Sequence, residues 1–89
     1  MISNGVATVA AAEGLHARPA ADFVRAVTLS GHQVELSNSA GRVVDGSSIL
    51  GVLSLAVKQG EQVHIQVSGP DSQAVLEGLI AVVSGLKRD

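Results

Sequence analysis

The chain has no cysteine, tryptophan or tyrosine, one phenylalanine and two prolines among its 89 residues. Without cysteine there is no disulfide framework, no thiolate metal site and no thiol nucleophile, so stability rests on packing, which suits a reducing compartment. Six Lys and Arg residues are scattered along a chain of net charge −2 with almost no aromatics. Neither a basic stripe nor a stacking platform is present, and nucleic acid is not an expected partner. No apolar run approaches the roughly 20 residues that span a bilayer, and no basic stretch precedes the first apolar residues. The expectation is a soluble cytoplasmic protein with no membrane insertion. The three histidines and the carboxylates show no metal-ligand spacing, and no glycine-rich loop leads into Lys-Ser or Lys-Thr. Neither a metal nor a nucleotide cofactor is expected.

What the chain does have is aliphatic. Hydrophobic residues make up 46% of it, enough for one small core of Val, Leu, Ile and Ala in a single domain spanning residues 1–89. Val6 to Ala12 reads as a weak strand, because alanine is a poor strand former. Ala20, Phe23, Val24 and Val27 then recur at i, i+3, i+4 and i+7, which predicts an amphipathic helix over Ala17 to Leu29. His32 to Ser37 alternates as a half-buried strand, with His32 at a polar position. The turn formers Asn38 to Gly41 and the short extended run Arg42 to Asp45 complete a hairpin. Ser47 or Ser48 is placed to N-cap a short helix over Ile49 to Val57, although the apolar run alone also fits a buried strand. Gln62 to Ser68 alternates cleanly, with His64 on the polar side. A last helix opens at Asp71, its carboxylate at the positive end, with an apolar stripe of Val75, Leu79, Val82, Val83 and Leu86 and with Lys87 and Arg88 at its C-terminal end. The order is β-α-β-β-α-β-α. Four strands and helices with one apolar stripe each predict a two-layer α+β sandwich, its sheet polar on one side and covered by helices on the other.

The chemistry concentrates at Glu13 to Ala20. His16 follows Gly14 and sits at the mouth of the first helix, where unpaired N–H groups and the macrodipole favour an anion. Pro19 fits the first turn, where a missing N–H is harmless. Arg18 adds a full charge and a planar fork of donors suited to phosphate. Neutral imidazole is a competent nucleophile toward phosphorus near neutral pH. The arrangement suits a phosphoryl group carried on histidine.

Gly-Leu-His-Ala-Arg-Pro-Ala at positions 14–20 resembles the phosphorylation-site signature of HPr, the histidine-containing phosphocarrier family of the bacterial phosphoenolpyruvate:sugar phosphotransferase system. Ser-Ile-Leu-Gly-Val-Leu-Ser-Leu at 48–55 resembles the second signature of that family. The resemblance implies an open-faced β-sandwich, a four-stranded antiparallel sheet covered on one face by three helices. It implies that His16 accepts a phosphoryl group on Nδ1 from enzyme I and passes it to sugar-specific A components. Arg18 and the backbone N–H groups of Ala17 and Arg18 would hold the phosphate, while Gly14 and Pro19 shape the loop and first turn. Ser48 matches a serine phosphorylated by a dedicated serine kinase/phosphatase in some Gram-positive bacteria, with transcriptional regulators as further partners. Ile49, Leu50 and Leu53 match a partner-docking patch. A carrier that exposes one histidine to several proteins is expected to be a monomer and not an enzyme by itself.

Three features depart from familiar members: the turn around Asn38 to Gly41 is one residue longer, Ser47 stands where lysine is common, and Gly46 stands where a larger apolar residue is common. Gly46 and Ser47 precede Ser48 and bear on whether a kinase accepts it. Three rival readings keep parts of this chemistry. One is a carrier in a nitrogen-related or dihydroxyacetone-kinase phosphotransfer chain. Another is a regulatory binding module acting through Ser48. The third, an autonomous hydrolase using His16, lacks an evident second general acid or base.

Overall fold

The computed structural model describes residues 1–85. Seven elements follow one another: β1 (Ile2–Thr8), α1 (Ala17–Ser30), β2 (Gln33–Asn38), β3 (Val43–Asp45), α2 (Ile49–Ser54), β4 (Gln62–Ser68) and α3 (Ser72–Ser84). The strands form one antiparallel sheet in the order β1-β4-β2-β3. β4 is therefore central, pairing with β1 from Ile2 opposite Ser68 to Thr8 opposite Gln62, and with β2 from Gln33 opposite Ser68 to Asn38 opposite Val63.

The period of two seen in the sequence decides which side of the sheet is buried. Val34 and Leu36 on β2 and Val63, Ile65 and Val67 on β4 all enter the core, while Gln33, Glu35, Gln62 and His64 face away and are exposed. The helices close over the apolar face. Ala20, Phe23 and Val27 descend from α1, Val52 from α2, and Leu76, Leu79 and Val83 from α3. Phe23, the one aromatic, is fully buried at the centre of this aliphatic cluster. No helix among the described residues is long and apolar enough to cross a membrane.

The predicted α+β sandwich and element order are found, with corrections of detail. The first strand lies over Ile2–Thr8 rather than Val6 to Ala12. Ser3, Asn4 and Gly5 have little strand propensity of their own, but the ladder with β4 holds them extended. Gly5 also lets α3 approach, since a Cβ there would meet the Ile80 side chain at 2.9 Å. Beyond the strand, Val9 still exchanges backbone hydrogen bonds with Glu61 and Gly60, at 2.9 and 2.8 Å.

Helix α3 begins at Ser72, not Asp71, which adopts left-handed geometry (φ 55°) and makes no side-chain cap. Ser72 is completely buried, and its hydroxyl meets that of Ser3 at 2.7 Å, fixing the start of α3 to β1. The buried stripe of α3 includes Leu76, which the predicted stripe omitted, whereas Val82 is 39% exposed. Leu86, Lys87 and Arg88 lie outside the described residues.

Helix α2 ends at Ser54 instead of reaching Val57, because Ala56 turns left-handed at φ 53° and donates its N–H to Leu53 O. Alanine holds that geometry at a cost of roughly 1–2 kcal/mol that glycine does not bear. Glycine's freer unfolded chain takes back part of that gain. Ala56→Gly is therefore expected to raise stability by about 0.5–1 kcal/mol. A higher urea midpoint at unchanged m-value checks it.

Candidate functional site

His16 is the residue immediately before α1, extended at φ −135° and ψ 170°, exposed, and free of any side-chain cap bond. Two anchors upstream put it there. Leu15 is buried, and its N–H donates to Val57 O at 2.9 Å. Gly14 closes the turn with its N–H on Ala11 O at 2.9 Å and a φ of 77°. A Cβ on Gly14 would lie 2.5 Å from Val57 O and 3.1 Å from Lys58 Cα. Glycine is thus required twice over, by conformation and by space. On the far side, Ala20 and Phe23 sink α1 into the core. The histidine is exposed on a backbone fixed at both ends.

Directly after His16, Ala17 has φ 48°, a left-handed conformation that costs a non-glycine residue about 1–3 kcal/mol. The first turn it opens offers a short set of donors. Pro19 has no N–H, and the Ala20 N–H reaches back to His16 O at 3.4 Å. That leaves the N–H groups of Ala17 and Arg18 without helical partners, at the positive end of the dipole. Arg18 is exposed, and it lines a depression of about 650 Å³ with Glu13, Leu15, Pro19, Asp22 and Val82. Among the described residues, no group of three or more His, Asp and Glu side chains is arranged to hold a metal.

The second signature lies on α2, which packs against α1 and β3. The segment just after α2 supplies Val57 O, the acceptor for Leu15, so the two signatures are joined through the backbone. Ser48 caps the helix as expected, its Oγ accepting from Gly51 N at 3.0 Å. Removing that oxygen by Ser48→Ala should lower stability by about 1 kcal/mol, measurable as a lower urea midpoint. Ile49 and Leu50 are 39% and 77% exposed, while Leu53 is half-buried against the core. An apolar surface is therefore on offer from Ile49 and Leu50, and only in part from Leu53.

The departures before Ser48 have local reasons. Gly46 is buried, and a Cβ there would meet the Val34 side chain at 2.9 Å. The exposed Ser47 donates both its N–H and its hydroxyl to Asp45 Oδ1, at 2.8 and 2.7 Å. The backbone N–H first, and the hydroxyl second, hold the Asp45 carboxyl below its ordinary value.

Sequence reasoning missed the strained Ala17 and Ala56, since nothing in an alanine codes for positive φ. It also missed His32, which is not a strand residue: its ring lies between the carbonyls of Ser30 and Pro70.

The comparisons bear on the whole of this arrangement. The family model described as "PTS HPr component phosphorylation site" matches residues 4–84. The phosphocarrier protein HPr of Streptomyces coelicolor is 41% identical over 73 residues, 82% of this chain and 78% of that protein. The HPr-like protein Crh of Bacillus subtilis is 43% identical over 70 residues, 79% of this chain and 81% of that protein. The crystal structure of an HPr from Bacillus anthracis superposes with a TM-score of 0.86 at 33% identity, covering 92% of this chain and 96% of the other. An exposed histidine at a helix mouth, an open antiparallel sheet under three helices and a match from residue 4 to residue 84 lead to one conclusion: the chain belongs to the HPr family of phosphotransferase-system phosphocarriers.

Proposed function

We propose that His16 is the phosphoryl acceptor, taking the group on Nδ1 from phosphorylated enzyme I, with phosphoenolpyruvate as ultimate donor, and yielding it to sugar-specific A components. The observation that carries the proposal is the pairing of an exposed, uncapped His16 with the partnerless N–H groups of Ala17 and Arg18. The imidazole lone pair attacks phosphorus as the bond from phosphorus to the donor breaks, so the phosphoryl group moves and no water is consumed. Its oxygens then face the two N–H groups and the Arg18 guanidinium, charge-assisted donors at a positive helix end. Because none of these groups supplies a further general acid or base, the chain carries the phosphoryl group and does not hydrolyse it. Partners complete the site, docking on Ile49 and Leu50 with part of Leu53. Affinities are modest, so that one surface serves several proteins in turn, and the chain works as a monomer in the cytoplasm. A phosphate on Ser48 would bring about −1.5 to −2 charges beside that patch and repel an acidic partner.

The test is a two-step transfer. The chain is incubated with enzyme I and phosphoenolpyruvate, separated, and mixed with an A component while intact masses are followed. The chain is expected to gain one phosphate and then return to its original mass as the A component is labelled. Loss of the phosphate to water with no labelled acceptor would contradict the carrier reading. Labelling by a donor of a nitrogen-related or dihydroxyacetone-kinase chain, and not by enzyme I, would move the same histidine to another circuit.

A further inference from the structure

At the other end of α1, some 20 Å from His16 by the rise of a 14-residue helix, a second histidine is held by geometry that its neutral form does not satisfy. His32 Nδ1 lies 2.8 Å from Ser30 O, and Nε2 lies 2.5 Å from Pro70 O. Both partners are carbonyl oxygens and accept only. A neutral imidazole has one N–H, whereas the imidazolium has two. With both nitrogens aimed at acceptors, the doubly protonated ring is the form that fits. The first contact is made at the C-terminal end of α1, where carbonyls lack helical partners and a positive charge is favoured. The second spans 38 residues to the corner between β4 and α3. That corner is packed closely on the ring, since a Cβ on Gly69 would lie 2.8 Å from His32 Cδ2. It also holds the start of the chain, through Gly69 N on Met1 O at 2.8 Å.

We propose that His32 is a pH-sensitive clasp that ties the end of α1 to the β4–α3 corner through both ring nitrogens while its ring is an imidazolium, and gives up one of its two carbonyl partners when the ring loses its proton. The single proton left on the neutral ring serves Ser30 through Nδ1 or Pro70 through Nε2, and not both. Whichever nitrogen is left bare presents its lone pair to a carbonyl, so the span from the end of α1 to the corner is weakened in either tautomer.

The surrounding charges are few. Asp71 follows Pro70 in the corner itself, and Glu35 and Asp45 line the same depression as His32 from β2 and β3. The last turn of α1 carries no basic residue. Gly69 N also donates to the carbonyl of Met1, the residue before β1. The Pro70 carbonyl above all, then that of Ser30, raises the His32 pKa above the ordinary 6.5, with Asp71 adding to them and burial opposing. The clasp's contribution is therefore complete below pH 6.5, the ordinary value, and lost as pH rises through the raised one.

Nitrogen-15 NMR of the histidine rings of the wild-type protein across pH tests the clasp without altering it. The expected result is a His32 ring carrying protons on both nitrogens at low pH and titrating above 6.5, with the Gly69 and Asp71 amides shifting at the same midpoint. His32→Gln removes the titration, and its deficit in melting temperature relative to wild type is expected to be greatest below that midpoint and to shrink above it. A His32 midpoint at or below that of free histidine, or corner amides that ignore its titration, would overturn the proposal. A His32→Gln deficit that does not change with pH would do the same.

Discussion

Replacing His16 by alanine is expected to abolish phosphorylation by enzyme I while leaving the fold intact. The two effects separate because of how the residue is held. His16 is exposed and its side chain makes no cap bond, so removing the ring creates no cavity and orphans no buried partner. The anchors that shape the loop are the Leu15 and Gly14 backbones and the buried faces of Ala20 and Phe23, none of which touches the imidazole by a hydrogen bond. Stability should stay within about 0.5 kcal/mol of wild type. Transfer should fall below detection, since Arg18 and the backbone donors of Ala17 and Arg18 supply stabilisation but no nucleophile. Intact mass after incubation with enzyme I and phosphoenolpyruvate, paired with a urea melt, checks both halves. A phosphate still gained by a folded variant would place the acceptor elsewhere.

Gly14→Ala is expected to fail in the opposite way, through the backbone. The substitution puts a methyl group 2.5 Å from Val57 O at a residue with φ 77°. The left-handed conformation alone costs alanine about 1–2 kcal/mol. The collision then forces the loop away from Val57 and strains the Leu15 bond, whose loss adds about 1 kcal/mol or more. A total of about 2–3 kcal/mol is expected, visible as a lower urea midpoint. Because the same bond places the residue before His16, phosphoryl transfer should slow even where the variant remains folded. Equal stability and equal transfer would show that the Val57 contact does not set the loop.

What was readable in the sequence was what depends on local pattern. The faces of α1 and β4 follow from periodicities of 3.6 and 2, and Phe23, Val63, Ile65 and Val67 are buried where those periods place them. A cap by Ser47 or Ser48 was readable because a serine before an apolar run has few better roles, and the structure selects Ser48. The histidine signature placed the candidate site in one stretch, since Gly14, His16, Arg18 and Pro19 lie within six residues of each other.

What was not readable depends on partners distant in sequence. β1 begins at Ile2 because β4 pairs with it, not because Ser3, Asn4 or Gly5 prefers a strand. Leu76 enters the core because α3 leans on β1 at Gly5, where there is no side chain to hold it off. Ala17 and Ala56 stand in left-handed geometry that their side chain disfavours, and tertiary contacts on either side of the Leu15–Val57 bond keep them there. His32 shares the parity of Val34 and Leu36, so alternation gives it no polar place in the strand; it lies before β2, and the approach of Pro70 from the other corner gives it a different task.

The measurement that tests the account most directly is the location and chemistry of the phosphate after reaction with enzyme I and phosphoenolpyruvate, by phosphorus-31 NMR and fragmentation of the intact chain. The account predicts a single acid-labile phosphoryl group on Nδ1 of His16. An acid-stable phosphate, a phosphate on Ser48 in place of His16, or no phosphate from a competent enzyme I would contradict it.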